Sequence, residues 1–442
     1  MDFLQTKQTA KVIRFPNIPV KLSATFPQST PIVDAMTKKF SYLNQVSSYQ
    51  SQFDWQPFRE LELRTQESKV RGGFLFRTPI RLANHHSACQ QCLYSFEIDT
   101  YGRGCIHNCV YCYAKAQLTV HGFWNNPFPA PVDIVRIRSI FYKVFETHKY
   151  SKWRSLLEKR IPLRLGSMSD CFMWMDKKYR VTLELLRILN HYNYPYVIFT
   201  HSDLVAKDEY LKALNPKLCS VQFSICSLND ELNRKIEPGS PSAARRLKAL
   251  SILNREGVWS SVRINPIFPI YPDGYYTNPN FPSREQAPKF DYFSFDMVDE
   301  IAKSGCRALL AGFGRFSAYS LSQVEKVTGH YIRSFYNDSV RKSARDYHFS
   351  DLEIRYYYEK LFSLCKNNGI QFSTCYIGNG ETHFWKHRDL WHDKSDCCNI
   401  RGQVPGFKAS CREIPFDLRM KFANSKKSTP NDKDNLHTSL DY

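Results

Sequence analysis

The segment YSFEIDTYGRGCIHNCVYCYAKA, residues 94–116, places three cysteines within eight residues, directly after a β-rich run. The cysteines are Cys105, Cys109 and Cys112, and two glycines give the loop before them the freedom to turn tightly. A structural zinc site uses four ligands, whereas three thiolates leave one metal position open. Thiolates are also the usual ligands of iron–sulfur clusters. The segment therefore predicts a strand followed by a metal centre with a free coordination position.

Similar β-rich runs recur along the chain and alternate with helical patterns. The runs are YSFEIDT (94–100), PLRLGSM (162–168), YVIFTH (196–201), SVQFSIC (220–226), SVRINPIF (261–268) and RALLAGF (307–313), with IQFSTCYI (370–377) as a further candidate. Repetition of strand and helix about six times is typical of a parallel sheet. We predict an α/β fold, a partial (β/α)6 TIM-type barrel with N-terminal and C-terminal extensions. Its site is expected at the carboxyl ends of the strands.

Four helical patterns separate these runs. One covers residues 177–192, and a second has Ser240 as its expected N-cap, Pro241 in its first turn and an end at Gly257. A third ends at Gly305, and a fourth starts at Ser350.

The chain is expected to divide into four parts. Residues 1–94 form an N-terminal extension with a cysteine pair, and residues 95–320 form the core barrel. Residues 321–419 form a C-terminal extension with a second group of cysteines. The polar remainder, 420–442, has little to bury and is predicted to be a disordered tail.

The charge, the apolar stretches and the cysteine content limit the classes of protein to which the chain can belong. The 442 residues include 61 basic and 42 acidic side chains, a net charge of +19 that favours a nucleic-acid partner or reflects solubility. The N-terminus has no secretory signal pattern and no apolar stretch approaches a membrane span, so we expect a cytoplasmic protein with no membrane partner. In a reducing compartment the 14 cysteines are expected to act as metal ligands or small core residues rather than disulfides.

The spacing Cys-x3-Cys-x2-Cys, with the aromatic Tyr111 before the last cysteine, resembles the radical S-adenosylmethionine superfamily. The resemblance implies that Cys105, Cys109 and Cys112 hold a [4Fe-4S] cluster whose open iron binds S-adenosyl-L-methionine. One-electron reduction then cleaves the cofactor to a 5'-deoxyadenosyl radical that attacks a substrate. A flavodoxin- or ferredoxin-type protein is the implied electron donor.

Within that superfamily, residues 96–314 resemble the branch of spore photoproduct lyase, called DNA-repair-photolyase-like. The resemblance is strongest at the cysteines and at EPGSPSAARRLKAL, residues 237–250. It implies that one segment contacts the amino group of the methionine moiety and that polar residues on later strands face the same cavity. The implied cofactor-binding residues are Gly166, Ser167, Ser169, Asp170, Ser224, Arg263 and Asn265.

One position departs from that branch. In the lyase a cysteine that returns hydrogen to the product precedes a Thr-Ser-Asp-like segment, and here Ser167 stands in the place of that cysteine. Repair by the lyase's route then requires another thiol, and Cys171, which follows Asp170, is the candidate catalytic residue.

The remaining cysteines suggest a second metal site, holding zinc or an auxiliary iron–sulfur cluster. We expect it to be built by Cys89, Cys92, Cys411 and one or both of Cys397 and Cys398, closing the barrel. The spare candidate ligands are His85, His86 and His392; the alternative is that these thiols are buried without a metal. Core positions are expected for Cys219, Cys226, Cys306 and Cys365, whereas the role of Cys375 stays open.

The leading functional hypothesis is an enzyme that cleaves S-adenosylmethionine reductively and acts on a nucleic-acid-type substrate. One alternative is a peptide- or protein-modifying maturase of the same superfamily. The other is a zinc-stapled nucleic-acid-binding protein without catalysis.

Overall fold

The computed structural model describes residues 31–67, 73–76, 80–83, 92–120, 122, 124, 129–269, 293–314, 316–330, 332–340, 345–375 and 386–424. Cys89, His85 and His86 of the predicted second site lie outside these ranges. Among the described residues no helix has the length and apolar character needed to cross a membrane.

One eight-stranded sheet organises the chain, with strand order β1-β2-β5-β6-β7-β8-β9-β13. All neighbours from β2 to β13 pair in parallel, and β1 pairs antiparallel to β2. The strands in chain order are β1 Ile80–Leu82, β2 Phe96–Ile98, β3 Tyr101–Gly102, β4 Ala130–Pro131, β5 Leu163–Leu165, β6 Tyr196–Thr200, β7 Cys219–Ser224, β8 Trp259–Ile264, β9 Ala308–Ala311, β10 Phe316–Ser317, β11 Asn337–Val340, β12 Arg345–His348 and β13 Gln371–Thr374. The predicted α/β fold is confirmed, with a seventh parallel strand supplied by the candidate run at 370–377.

Helices connect the parallel strands. The α-helices are Pro31–Val46, Gln56–Glu67, Tyr113–Val120, Ile134–Phe145, Arg154–Glu158, Asp176–Tyr179, Val181–His191, Asp208–Ala213, Asp230–Ile236, Ala243–Arg255, Met297–Lys303, Ala318–Thr328, Asp351–Asn367 and Phe416–Asn424. Short 3-10 helices cover Leu204–Ala206, Arg333–Phe335, Arg388–Leu390 and Cys411–Glu413. The last α-helix includes residues 420–424, the start of the expected disordered tail, and residues 425–442 lie outside the described ranges.

Two helix starts differ from the prediction. Ser242, not Ser240, caps helix Ala243–Arg255, because its hydroxyl accepts the Arg245 N–H while Ser240 closes the preceding turn with Glu237. The pattern at 177–192 is divided at Arg180, which is left-handed with φ 53°. The helix predicted from Ser350 is confirmed, with a capping box that includes Glu353.

The segment after β13 fills the space between the last and first parallel strands. It bonds to both sides, since the His392 N–H donates to Phe372 O at 2.8 Å and the Cys411 N–H donates to Leu93 O at 3.0 Å. Its apolar residues pack against the inner face of the sheet, in an interior cluster separate from the core under the helices. The interior cluster contains Leu93, Tyr94, Val197, Trp259, Ala308, Leu310, Trp391, Cys397, Cys398, Ile400, Val404 and Phe407.

Candidate functional site

A cavity of about 360 Å³ lies at the carboxyl ends of the parallel strands, where active sites of such folds occur. All ten residues predicted for the first metal centre and the cofactor line it. They are Cys105, Cys109, Cys112, Gly166, Ser167, Ser169, Asp170, Ser224, Arg263 and Asn265. Residues from four separate chain segments therefore converge on one space.

The three cysteines form one wall of the cavity. Burial raises the pKa of the Cys105 thiol to about 12, and burial likewise raises the pKa values of Cys109 and Cys112, so a bound metal would be needed to hold them as thiolates. Among the described residues, these three sulfurs do not all lie within 4.8 Å of one another, whereas thiolates bound to a single zinc ion lie about 3.8 Å apart.

Residues 236–239 hold the cysteine loop in place through backbone hydrogen bonds. The Gly239 N–H donates to His107 O at 3.0 Å, and the Val110 N–H donates to Ile236 O at 2.9 Å. A side chain at Gly239 would place its Cβ atom 1.9 Å from Ile106 O, so only glycine permits this approach. The start of the segment EPGSPSAARRLKAL therefore packs against the cysteine loop and fixes the position of its backbone.

His107 lies buried inside the cysteine loop and donates from both ring nitrogens. Its Nδ1 contacts Gly239 O at 2.9 Å and its Nε2 contacts Asp170 Oδ2 at 3.1 Å, and both partners are acceptors. Burial opposes the charged ring, but Asp170 outweighs it and raises the pKa of His107. The His107 imidazolium thus lies within the loop that carries Cys105, Cys109 and Cys112, whose side chains would be negatively charged as thiolates.

Asp170 is fully occupied as a structural acceptor. It accepts the Thr200 hydroxyl at 2.9 Å, the His201 N–H at 2.6 Å and the Phe172 N–H at 2.8 Å, besides His107. Although burial opposes ionisation, the charge of His107 lowers the pKa of Asp170. Its carboxylate therefore joins the loop to β5 and β6, with no oxygen left over for a ligand.

A second buried network links the loop to β7. The Tyr111 hydroxyl donates to Glu237, and Glu237 pairs with Arg246 at 2.7 Å. Arg246 also donates to Ser224 O at 2.6 Å, at the end of β7. Burial alone would raise the pKa of Glu237, but Arg246 and His201 lower it, so the carboxylate is charged.

The segment after β5 is fixed by its backbone. Gly166 has φ +86°, and a Cβ atom there would lie 2.2 Å from Phe199 O. The N–H groups of Ser167 and Met168 donate to Asp99 at 2.8 and 3.1 Å. The Ser169 hydroxyl donates to Tyr101 O, so these contacts hold the segment against the end of β2 and against β3.

The wall opposite the cysteines carries arginines. Arg81 pairs with Glu97 and Asp99, and Arg164 pairs with Glu97. Arg263 differs, because among the described residues it has no carboxylate partner. Its Nη2 donates to Cys375 Sγ at 3.1 Å, and its guanidinium lies 5.0 Å from the centre of the Phe199 ring.

The structure places Cys171, the candidate catalytic residue, in the core and not at the cavity wall. Its side chain has 0% exposure and is not among the residues that line the cavity, and burial raises its pKa. The residue turns into the core beneath the site, where its carbonyl accepts the Thr182 hydroxyl. Besides the three loop cysteines, the cysteine that lines the cavity is Cys375, directly after β13.

The predicted second site is gathered only in part. Cys397 and Cys398 lie with Asp396 in one buried group, whereas Cys411 packs in the main core and its thiol contacts Ser95. The structure thus separates Cys411 from the pair. Cys92 is buried, and His392 is exposed. The four cysteines expected in the core, Cys219, Cys226, Cys306 and Cys365, are buried as predicted.

Sequence reasoning did not single out His107, His201, Arg81 and Arg164, which line the cavity, or Glu237 in the buried network, and it left the role of Cys375 open. His107 could have been noticed because it stands between two motif cysteines, and His201 because it directly follows a predicted strand. The others needed the tertiary structure. His201 lines the cavity, and burial lowers its pKa to about 4.

Comparisons with known proteins find relatives without an assigned function. An uncharacterised protein of Methanocaldococcus jannaschii is 27% identical over 173 residues, which are 38% of this chain and 58% of that protein. An uncharacterised protein of Mycobacterium tuberculosis is 24% identical over 169 residues, 38% of this chain and 48% of that protein. The chain thus spans about half the length of the curated relatives it matches. No protein-family model matches.

Among solved structures, a spore photoproduct lyase variant with bound AdoMet and dinucleoside spore photoproduct has a TM-score of 0.49 and 16% identity. The match covers 73% of this chain and 95% of that one. SuiB of Streptococcus suis bound to S-adenosylmethionine has a TM-score of 0.36 and 13% identity, covering 77% of this chain and 61% of that one.

Proposed function

We propose that this protein is a radical S-adenosylmethionine enzyme acting on a nucleic-acid-type substrate. The observation that supports the proposal is the meeting of three cysteines of one loop at one wall of a cavity that lies at the carboxyl ends of the parallel strands. When bound there, a [4Fe-4S] cluster with S-adenosylmethionine on its open iron would supply a 5'-deoxyadenosyl radical.

The residues present fit such a cluster. Cys105, Cys109 and Cys112 would hold it, and the His107 imidazolium would offset part of its thiolate charge. Gly166, Ser167 and Ser169 line the cavity together with the loop cysteines and are proposed to contact the methionine moiety of the cofactor. Ser224 and Asn265, at the ends of β7 and β8, are proposed as further cofactor contacts.

Arg263 supports an anionic substrate. A guanidinium without a carboxylate partner among the described residues is available to a phosphate or carboxylate group. The net charge of +19 adds a long-range attraction for polyanions. Nucleic acid is therefore the preferred substrate class, and an acidic peptide handled by a maturase is the second candidate.

The test is an anaerobic assay of the reconstituted full chain. With dithionite as reductant, the wild-type protein is expected to contain iron and sulfide and to form 5'-deoxyadenosine, and Cys109→Ala is expected to lose both properties while remaining folded. Cys219→Ala, a buried thiol on β7, is the matched control and is expected to retain them. Retained turnover in Cys109→Ala, or a colourless zinc-loaded protein inert toward S-adenosylmethionine, would refute the proposal and favour a binding protein.

Substrate class is tested in the same assay. DNA, RNA and protein extracts are added separately, and 5'-deoxyadenosine formation is expected to rise with nucleic acid. A rise with protein alone would favour the maturase. A flavodoxin or ferredoxin replacing dithionite would test the proposed electron donor.

A further inference from the structure

The stretch that joins helix Ile134–Phe145 to β5, residues 143–160, is strongly basic and is called the basic segment below. Its six basic and two acidic side chains are Lys143, Lys149, Lys152, Arg154, Lys159 and Arg160, with Glu146 and Glu158. Because the segment leads directly into β5, it lies at the amino ends of the parallel strands, at the opposite end of the sheet from the cavity. The proposed radical chemistry uses none of its residues.

Both carboxylates of the basic segment already have partners. Glu146 accepts the Ser47 hydroxyl at 2.6 Å and the Ser48 N–H at 2.7 Å, and Glu158 pairs with Arg154 at 2.8 Å. Among the described residues, no carboxylate lies within ion-pair distance of the four lysines of the segment, which are Lys143, Lys149, Lys152 and Lys159. Four positive charges are therefore not offset by ion pairs.

Aromatic rings hold two cations of the segment in place. The Lys152 ammonium lies 4.8 Å from the centre of the Trp153 ring, and the Arg160 guanidinium lies 4.4 Å from the centre of the Phe145 ring. Such contacts attract a cation to the ring face but do not neutralise its charge. The segment thus presents positive charge at fixed positions.

Tyr150 adds an exposed aromatic ring to this charged surface. It is 87% exposed, the highest value among the large apolar side chains that the structure describes. Tyr150 directly follows Lys149, in a turn that Arg154 braces by donating to His148 O at 2.9 Å. An aromatic ring beside cations is the arrangement on which the bases of single-stranded nucleic acid stack.

The composition of the segment favours nucleic acid over other polyanions. A membrane surface requires an apolar face that enters the lipid, and Tyr150 is the one exposed large apolar side chain of residues 143–160. An acidic protein requires an apolar interface core, which the segment likewise does not offer. Nucleic acid requires cations for its phosphates and rings for its bases, and both are present.

We propose that the basic segment binds single-stranded nucleic acid, with Lys149, Lys152 and Lys159 contacting phosphates and one base stacked on Tyr150. The surface is separate from the cavity, so the proposal does not depend on the radical chemistry. Phosphate contacts release counterions from the nucleic acid, and the affinity is therefore expected to fall as the salt concentration rises.

The test measures binding of a labelled single-stranded DNA oligonucleotide to the full-length protein by fluorescence anisotropy, without reductant or S-adenosylmethionine. The variant Lys149→Gln/Lys152→Gln/Lys159→Gln is expected to bind at least about tenfold more weakly. The slope of log affinity against log salt is expected to decrease in magnitude by about 2, since each phosphate contact contributes about 0.7.

The matched control removes the same charge elsewhere. The variant Lys248→Gln/Lys360→Gln/Lys366→Gln changes exposed lysines on helices Ala243–Arg255 and Asp351–Asn367 and is expected to keep the wild-type affinity and salt slope. In an Arg263→Gln background, the loss caused by the changes in the basic segment is expected to persist, because distant independent sites act additively.

Tyr150→Ala tests the stacking contact and is expected to weaken binding about fivefold or more with an unchanged salt slope. Three results would each overturn the proposal. They are wild-type affinity and salt slope in the basic-segment lysine variant, wild-type affinity in Tyr150→Ala, and tighter binding of polyglutamate or of phosphatidylserine vesicles than of the oligonucleotide.

Discussion

Gly239 and Ile106 approach so closely that a Cβ atom at position 239 would lie 1.9 Å from Ile106 O. Two distant parts of the sequence thus meet through backbone alone, and the contact sets the position of the cysteine loop.

Gly239→Ala is therefore expected to displace the loop and lower the iron content of reconstituted protein severalfold, with loss of 5'-deoxyadenosine formation. Iron analysis and the anaerobic assay measure both effects. Gly402→Ala is the control, because nothing lies within 4 Å of a Cβ atom there. Normal iron content in Gly239→Ala would show that the close approach is not needed.

Glu237→Gln tests the buried network under Tyr111. Removing one charge of a buried pair leaves Arg246 uncompensated, and such changes cost about 3–5 kcal/mol of unfolding free energy. Glu209→Gln breaks the exposed pair with Arg180 and is expected to cost about 0–1 kcal/mol. Chemical denaturation gives both values, and equal losses would contradict the structural role of Glu237.

The pKa of His201 predicts how the unfolding free energy depends on pH. Its folded pKa of about 4 lies below the usual value because of burial, so below about pH 6.5 the unfolded chain binds a proton that the folded chain does not. The stabilisation that depends on a neutral His201 is therefore fully present above about pH 6.5. The unfolding free energy then decreases as the pH falls from about 6.5 toward 4. Glu237 and Asp170 oppose the shift, whereas Arg246 and His107 add to it.

His201→Gln is expected to flatten the decline of unfolding free energy between about pH 6.5 and 4. Denaturation at several pH values measures the slope. His392→Gln, at an exposed position, is expected to keep the wild-type slope. An unchanged slope in His201→Gln would mean that the folded protein binds the proton as readily as the unfolded chain.

Arg263→Gln tests the anionic contact. Loss of a charge-assisted hydrogen bond is expected to raise the apparent KM for a nucleic-acid substrate about tenfold or more, without changing iron content. Steady-state kinetics provide the measurement. Arg355→Gln, which removes a guanidinium paired with Asp389 on the outer surface, should leave KM unchanged; a KM unaffected by Arg263→Gln would remove Arg263 from the substrate site.

Cys375 and Cys171 can be separated by paired variants. Cys375→Ala is expected to lower product yield per 5'-deoxyadenosine formed, because this thiol lines the cavity. Cys171→Ala is expected to keep that ratio and to reduce stability by about 1–2 kcal/mol, as small cavities in a core do. Quantifying product and 5'-deoxyadenosine together measures the ratio, and a change confined to Cys171→Ala would reverse the assignment.

The parallel α/β fold and the cysteine loop could be predicted from the residues alone, because alternating strand and helix patterns and closely spaced cysteines are local signals. The same patterns put Ser224, Arg263 and Asn265 at strand ends, which a parallel sheet brings to one edge. Which thiols share a space could be seen only in the folded chain. Cys171 and Cys375 both follow strands in the sequence, yet one turns into the core and the other into the cavity. Side-chain direction at a strand end depends on the backbone turn that follows and on the packing around it, and neither can be derived from residue spacing.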